Sequence, residues 1–217
     1  MTEIRDHDGY RRFRAALQDG RLEAGMNVTQ NELCELLGLS LSPLRETLVL
    51  LEEFGLVDIK PRTGIRIVYP EVAFIRENYQ FRVLIETAAI REFVANFTTA
   101  WLDDMRARHR AGRAELGNPD LSDEVQDRVL ALDREMHQSF VESMGNGAIL
   151  RTHNRLQDNI GMARRVHQRP FFRTQLISTM DEHLKILDSL EARDADSAVA
   201  NLEAHFRASA FRTFASA

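Results

Sequence analysis

Residues 29–68 read TQNELCELLGLSLSPLRETLVLLEEFGLVDIKPRTGIRIV, and this stretch decides the fold of the first part of the chain. Thr29 followed three residues later by Glu32 is the pattern of a capping box, which satisfies backbone N–H groups at the start of a helix. Leucines at helical spacing come next, and Gly38 can supply the left-handed residue that ends such a helix. The pattern predicts a short capped helix between Thr29 and Gly38.

The residues that follow predict a second helix and a strand pair. A helix can begin within Ser40–Pro43, because serine hydroxyls cap helices and proline is tolerated in the first turn. Leucines continue at helical spacing until Gly55, and a short strand and a turn near Gly64 follow. Two short helices across a tight turn, followed by a strand pair, predict a winged helix-turn-helix.

This arrangement suggests contacts with duplex DNA. The second helix would have an open N-terminus, where unpaired N–H groups meet phosphates or base edges. An arginine there can fork onto a guanine edge, and a glycine at the wing tip lets the backbone approach the sugar–phosphate chain. The predicted DNA-binding residues are Ser40, Ser42, Arg45, Arg62, Thr63 and Gly64. The alternative is a helix-turn-helix that never touches DNA, with Arg45 as a solvated surface charge.

Residues 33–64 resemble the N-terminal reader of the GntR family of bacterial transcription regulators. The resemblance rests on LCELLGLSLSPLRETL at 33–48, LEEFGLV at 51–57 and the glycine at 64. It implies a transcription regulator, and repression is the commoner habit of that family. Leu41 stands where the family usually has an arginine, so one usual base or phosphate contact is missing there. This difference affects operator preference but not the fold.

Composition sets the broad class of the protein. The 217 residues include a single cysteine, Cys34, which excludes an internal disulfide. No apolar run reaches membrane-spanning length, and residues 1–20 are too charged for a signal peptide. We therefore expect a cytoplasmic protein without a membrane partner.

The net charge of −5 is a weak guide to DNA binding. Phosphate attraction is local, because it is screened over roughly 8–10 Å in physiological salt. Residues 1–70 contain about as many acidic as basic side chains. We therefore expect modest DNA affinity per protomer and a homodimer that covers two half-sites of a double-stranded operator.

After Tyr69-Pro70 the periodicity is helical almost without interruption. Helix-breaking residues divide it into six segments, at about 71–97, 99–115, 121–144, 147–167, 172–192 and 195–214. The expected fold is mostly α. It consists of a winged helix-turn-helix domain at 1–69, followed by an all-α six-helix effector and dimerisation bundle at 70–217.

Four residues in this second part have the spacing of a metal site. Asp133 and His137 are four residues apart and so lie on one face of a helix. His183 and His205 stand eleven residues to either side of Asp194, so an antiparallel hairpin would bring them level. Three imidazoles and one carboxylate suit a divalent metal ion such as Zn²⁺, Ni²⁺ or Mn²⁺. The alternative is ordinary hydrogen-bonded histidines, the class to which we assign His7, His109, His153 and His167.

The same residues resemble the FCD subfamily of GntR regulators, which is related to the fatty-acid-responsive members. Many FCD domains carry Asp-x-x-x-His followed by one histidine on each of the last two helices, and Asp133, His137, His183 and His205 fill these places. The resemblance implies a small anionic metabolite as effector, held at the metal. It also implies an effector contact for Arg82, which matches a pocket-facing arginine of the family. Asn154, on the helix after Gly147, is a second candidate for an effector contact. Arg82 could instead pair with Glu86 one turn further along the helix.

The predicted function is therefore regulation of transcription, with operator affinity controlled by an organic acid at a metal-containing helical pocket. Two alternatives stay open at this point. One is a metal-dependent enzyme built on a helical bundle, although no general base and no paired Glu-x-x-His motif can be identified. The other is a regulator in which the metal is structural or is itself the signal.

Overall fold

The computed structural model describes residues 8–53, 55–60, 64–68, 72–118, 122–166 and 172–214. Within these residues the chain is mostly helical, with nine helices and three short strands. In chain order they are α1 (Asp8–Gln18), β1 (Asn27–Val28), α2 (Gln30–Leu37), α3 (Leu41–Glu53), β2 (Val57–Lys60), β3 (Gly64–Ile67), α4 (Val72–Asn96), α5 (Thr99–Leu116), α6 (Asp123–Glu142), α7 (Gly147–Val166), α8 (Phe172–Glu191) and α9 (Ala195–Phe214).

The helix-turn-helix begins and turns where the sequence predicts. The Oγ1 atom of Thr29 accepts a hydrogen bond from the N–H of Glu32, whose Oε2 accepts one from the N–H of Thr29 at 2.7 Å. Gly38 ends α2 in the left-handed conformation, at φ 61° and ψ 38°. The N–H of Leu39 then donates to the carbonyl of Cys34, which closes the turn before α3.

The three strands form one antiparallel sheet in the order β1-β3-β2. Ile65 in the central strand faces Val28 on one side and Ile59 on the other. At the start of β3, Gly64 has φ +104°, and a Cβ atom there would lie 2.9 Å from the carbonyl oxygen of Val28. Glycine is therefore required at this position by the backbone itself.

One hydrophobic core joins the helices and strands of this first part. It includes Tyr10 and Phe13 from α1, Leu33 from α2, Leu44 from α3 and Ile67 from β3, all of them buried. Burial of side chains at helical spacing on α1, α2 and α3 explains why these short helices are stable only together.

Helices α4 to α9 form the predicted six-helix arrangement. Helix α8 packs against both α5 and α9, and α5 also packs against α6. An aromatic cluster supports one part of this core, where the ring of Phe93 lies 4.7 Å from that of Trp101 and 5.2 Å from that of Phe140, measured between centroids. None of the helices in the described part of the chain is both long and apolar enough to span a lipid bilayer.

By compactness the chain divides into one unit of Met1–Phe74 with Gly161–Val166 and a second of Ile75–Ile160 with His167–Ala217. The predicted domain boundary at residues 69 and 70 lies outside the described residues and stays a prediction. The second unit buries several ionisable side chains, which proteins rarely do unless these groups are paired. They are Arg82, Glu86, His109, Asp133, His137, His153, Asp158, His183 and His205.

Candidate metal centre and DNA-reading surface

Four side chains of metal-ligand type meet inside the helical unit. Asp133 and His137 lie one turn apart on α6, His183 lies on α8 and His205 on α9. One possible ligand atom from each lies within 4.8 Å of the other three. All four side chains are buried. The structure therefore brings together the four residues that their spacing in the sequence selected.

The three imidazoles surround one carboxylate oxygen. Oδ1 of Asp133 lies 3.4 Å from Nε2 of His183 and 3.9 Å from Nε2 of His137. The ring centroids of His183 and His205 are 4.6 Å apart, and the ring of His137 lies 5.1 Å from each of them. Because bonds from zinc to nitrogen or oxygen are about 2.0–2.2 Å long, a small inward shift of these side chains would complete a ligand set.

Glu86 on α4 fixes the orientation of His137. Nδ1 of His137 donates to Oε2 of Glu86 at 2.5 Å, and both side chains are fully buried. Burial alone raises the pKa of the Glu86 carboxyl, but Arg82, His137 and His153 outweigh it and hold that pKa well below the usual 4.5. The ionised carboxylate only accepts hydrogen bonds, so Nδ1 of His137 carries a proton, and in a neutral ring the lone pair then lies on Nε2.

Glu182 has the same relation to His205. Nδ1 of His205 donates to Oε2 of Glu182 at 2.8 Å, and Arg212 donates to both carboxylate oxygens. Burial raises the pKa of Glu182, but the hydrogen bonds from Arg212 and His205 outweigh it and lower the pKa to about 2. Burial lowers the pKa of His205 to about 4. His205 is therefore neutral at pH 7, with the lone pair on Nε2.

His183 is oriented by a second histidine. Nδ1 of His109 must donate to the carbonyl oxygen of Met105, 2.7 Å away, because a carbonyl only accepts. Burial lowers the pKa of His109, so its ring is neutral and its Nε2 is an acceptor. That Nε2 lies 3.0 Å from Nδ1 of His183, which therefore donates. The Nε2 atom of His183 is left with a lone pair, like those of His137 and His205.

The arrangement fits a divalent metal ion. Three Nε2 lone pairs from His137, His183 and His205 face the Asp133 carboxylate, and each of the three Nδ1 atoms is held by a further side chain. Carboxylates and other groups behind the ligating histidines are the usual support of a protein metal site. The buried Nε2 of His137 has no hydrogen-bond partner among the described residues, although buried polar atoms normally have one.

Arg82, the predicted effector residue, lies beside this cluster on α4. Its Nε donates to Oε1 of Glu86 at 2.7 Å, so the intrahelical pair considered from the sequence does form. Its Cζ lies 4.8 Å from the ring centroid of Phe206, next to His205 in the chain. The Nη2 atom is buried and has no hydrogen-bond partner within the described part of the chain. One donor of the guanidinium therefore remains for a ligand.

Asn154, the other predicted effector residue, is buried on α7. Its backbone carbonyl accepts from Nη2 of Arg134 at 3.3 Å. The preceding residue, His153, is tied to the cluster, because its Nε2 donates to Oε1 of Glu86 at 2.8 Å. The effector contact of Asn154 itself stays a prediction.

Sequence reasoning missed the side chains that orient the three clustered histidines. These are Glu86, Glu182 and His109. Glu86 was considered only as a partner for Arg82. His109 was assigned to the ordinary hydrogen-bonded histidines. That class describes its contacts correctly but does not show that His109 orients His183. The one available signal was the pair Glu182-His183, in which an acidic residue adjoins a predicted ligand. In the structure, however, Glu182 accepts a hydrogen bond from His205 on the neighbouring helix and not from His183, its neighbour in the chain.

The start of α3 is the predicted DNA-reading element. Ser40, Ser42 and Arg45 are all exposed there. The first turn of α3 contains no acidic residue, so its partial positive charge is not cancelled locally. Leu41, which stands where the family usually has arginine, is 39% exposed. The surface is therefore available to DNA, as the predicted contacts require.

The wing gives less information about DNA contacts. Arg62 and Thr63 lie outside the described residues, as do His7 and His167. Gly64 is described, and its positive φ and close approach to Val28 give it a structural role that does not depend on DNA. The contacts of Arg62, Thr63 and Gly64 with DNA remain predictions.

Two arginines fix the turn between α2 and α3. Nη1 of Arg12 donates to the carbonyls of Leu37 and Gly38, at 3.2 and 3.0 Å. Nη1 of Arg21 donates to the carbonyl of Leu36 at 2.7 Å. Positive groups at a helix C-terminus satisfy its free carbonyls and oppose the negative end of its dipole. Arg12 on α1 and Arg21 therefore stabilise the turn.

The fold and the buried cluster define a class of bacterial regulators, and comparison with known proteins agrees. Residues 9–67 match the model for "Bacterial regulatory proteins, gntR family", and residues 77–208 match the FCD domain model. The chain belongs to the GntR family, carries an FCD domain and is a transcription regulator.

Relatives in sequence and structure are of the same kind. An HTH-type transcriptional regulator from an unstable DNA locus of Streptomyces ambofaciens is 25% identical over 93% of this chain and 81% of its own length. The HTH-type regulator YdhC of Bacillus subtilis is 21% identical over 91% of this chain and 85% of its own. The fold is also similar to that of E. coli McbR/YncC, with a TM-score of 0.78, 16% identity and 99% of both chains covered.

Proposed function

We propose that this regulator changes its affinity for an operator when a small anionic metabolite binds at a metal ion in the FCD domain. The observation that carries the proposal is the convergence of three imidazole lone pairs on the Asp133 carboxylate, with each imidazole held by a separate hydrogen bond. Asp133, His137, His183 and His205 would hold the ion, which would be Zn²⁺, Ni²⁺ or Mn²⁺.

A bound divalent ion supplies positive charge and an attachment point for a carboxylate or similar anion. Among this chain's own residues, Arg82 provides the second anchor. Its Nε is committed to Glu86, and its buried Nη2 can donate to an anion. An organic acid satisfies both the ion and this donor, which is why we infer a small anionic effector.

We infer that the site binds its ligand without catalysing a reaction. A general base needs a carboxylate or imidazole that is available to take a proton. Glu86 is engaged by Arg82, His137 and His153, and Glu182 by Arg212 and His205. Both carboxyl groups have lowered pKa values, which weakens them as bases. Asp133 is assigned to the ion itself.

On the DNA side, the exposed start of α3 supports the proposed contacts of Ser40, Ser42 and Arg45, and the wing would add Arg62, Thr63 and Gly64. Two such readers in a homodimer would cover two half-sites of an operator. Repression is the proposed outcome of operator binding. The effector changes DNA affinity only if it binds one arrangement of the protein more tightly than another. Each tenfold change in DNA affinity requires a difference in effector binding free energy of about 1.4 kcal/mol.

The test measures DNA affinity in the presence of metal and ligand. Protein loaded with Zn²⁺, Ni²⁺ or Mn²⁺ is screened for thermal stabilisation by a panel of small carboxylates, and each hit is titrated against a duplex selected from a random pool. We expect at least one anion that stabilises only the metal-loaded protein and changes DNA affinity at least tenfold.

His183→Ala should abolish this response while leaving basal DNA binding unchanged, and Glu124→Ala on the exposed part of α6 serves as the matched control. An anion that acts equally on metal-free protein would contradict the role of the ion. Chemical turnover of the stabilising anion would favour the enzyme instead.

A further inference from the structure

Two large apolar side chains are exposed on the outer face of helix α3. Leu41, in the first turn, is 39% exposed, and Val49, about two turns further along, is 65% exposed. The opposite face of the helix enters the core, where Leu44, Leu48 and Leu51 are buried. Apolar side chains grouped on an exposed helix face are typical of a binding surface.

These two side chains stand on either side of Arg45. Leu41 precedes Arg45 by four residues, and Val49 follows it by four. Residues four apart lie about 40° from each other around a helix and about 6 Å apart along its axis. The three side chains therefore form one row, in which Leu41 lies beside the proposed DNA contact of Arg45 on the side of the helix N-terminus.

The acidic residues of α3 show which end of this row can approach DNA. Glu52 is exposed seven residues after Arg45, about 20° from it around the helix, and Glu46 is exposed about 100° from it, at the edge of the face. The first turn contains no acidic residue. Because carboxylates are repelled by phosphates, the N-terminal end of α3 is the part that can enter a groove, and this end carries Leu41.

The chemistry of leucine limits the base that Leu41 can recognise. Its side chain offers only methyl and methylene groups. In the major groove the base edges carry polar atoms, and the C5-methyl group of thymine is the one apolar feature. A polar base atom covered by Leu41 would lose its water without gaining a hydrogen-bond partner, which costs free energy. Thymine is therefore the base that complements this side chain.

We propose that Leu41 reads the C5-methyl group of one thymine in each operator half-site and so sets operator preference. The inference rests on the proposed function, because it requires α3 to lie in the major groove. The separation of about 6 Å between Leu41 and Arg45 equals about two base-pair steps of roughly 3.4 Å. The thymine therefore lies within about two base pairs of the nucleotide that Arg45 contacts.

Removal of single methyl groups from the DNA tests this contact. A duplex is selected from a random pool with the full chain, and each of its thymines is then replaced in turn by deoxyuridine, which lacks only the C5-methyl group. At one thymine in each half-site the dissociation constant should rise about fourfold, the effect of removing one methyl-sized group from an apolar contact.

Substitutions in the protein assign the contact to its side chain. In Leu41→Ala the thymine and deoxyuridine duplexes should bind equally, whereas Val49→Ala, the matched control on the same face, should keep the full difference. Neither side chain belongs to the hydrophobic core, so both variants should fold. A new selection with Leu41→Arg should return guanine in place of thymine at this pair, because arginine forks onto the O6 and N7 atoms of guanine.

The proposal is overturned if no thymine shows a methyl-dependent effect, if the effect survives Leu41→Ala or is lost in Val49→Ala, or if Leu41→Arg still selects thymine. Arg45→Ala, measured on the same duplex, separates this failure from a failure of the proposed function. Weaker binding of Arg45→Ala without any methyl effect would mean that α3 reads DNA without Leu41. A chain that selects no duplex, or that binds equally well after Arg45→Ala and Leu41→Ala, would contradict both.

Discussion

At the residue scale, His109 shows how one hydrogen bond can decide which atom of a neighbour is available. Its Nδ1 is committed to the Met105 carbonyl, so its Nε2 accepts from His183 and leaves Nε2 of His183 with a lone pair. We predict that His109→Leu weakens metal affinity about 10- to 100-fold, the usual effect of removing such a support.

The test of this prediction uses chelator competition. His109→Gln keeps an acceptor that can reach Nδ1 of His183, so it should recover most of the metal affinity that His109→Leu loses. Both substitutions change the packing around this position, so only the acceptor distinguishes them. If the leucine and glutamine variants bind metal with the same affinity, His109 contributes only to packing.

At this scale the sequence predicts the four clustered residues better than their surroundings. Asp133 and His137 could be placed on one helix face because they are four residues apart. His183 and His205 could be placed level with each other because they lie equally far from Asp194, where the two helices form a hairpin. Glu86 could not be found in this way, because it lies 51 residues from His137 and only the packing of α4 brings them together. Side-chain contacts between distant helices leave no periodic signal.

At the element scale, helix boundaries could be predicted closely because the residues that end helices act locally. Helix α4 was expected at about 71–97 and spans 72–96, and α7 was expected at 147–167 and spans 147–166. Capping and left-handed glycine need only their neighbours in the chain. What could not be predicted is how α1 meets α3, which depends on a close contact between two positions that carry no motif.

That contact gives a prediction for stability. A Cβ atom added at Gly9 on α1 would lie 1.8 Å from Oγ1 of the buried Thr47 on α3, so no side chain fits between these helices. Gly9→Ala should lower the free energy of unfolding of the DNA-reading unit by about 1–3 kcal/mol. The measurement is urea denaturation.

The matched variant is Gly161→Ala, since a Cβ atom at Gly161 on α7 would meet nothing within 4 Å. It should be neutral or slightly stabilising, because alanine favours the helix. Adding Thr47→Ala to Gly9→Ala should recover part of the loss, since it removes the clashing hydroxyl. A Gly9→Ala protein with unchanged stability would show that α1 and α3 do not pack this closely.

At the scale of the whole molecule, the sequence predicts two kinds of unit, one that reads DNA and one that binds a ligand. The net charge of −5 does not show this division, because the proposed reading surface comprises only a few residues at the start of α3. The helical half is predicted as a bundle from periodicity alone. The polar interior of that bundle follows from tertiary packing, which no local pattern describes.

The reading surface gives a prediction for DNA binding. Arg45→Ala should weaken binding to the selected duplex about tenfold or more and, if Arg45 contacts a phosphate, reduce the salt dependence of binding by about one unit per reader. Arg207→Ala, on the exposed part of α9, is the control and should change neither quantity. Equal effects of the two substitutions would mean that α3 has no special role on DNA.

The proposed regulation depends on one metal ion held by three imidazoles and a carboxylate in the FCD domain. X-ray absorption spectroscopy of the full chain, loaded in turn with Zn²⁺, Ni²⁺ and Mn²⁺, tests it most directly. For at least one of these metals we expect one tightly bound ion per chain, with three imidazole nitrogens and at least one oxygen in its first coordination shell. A spectrum with fewer than three imidazoles, or the absence of tight binding for all three metals, would contradict it.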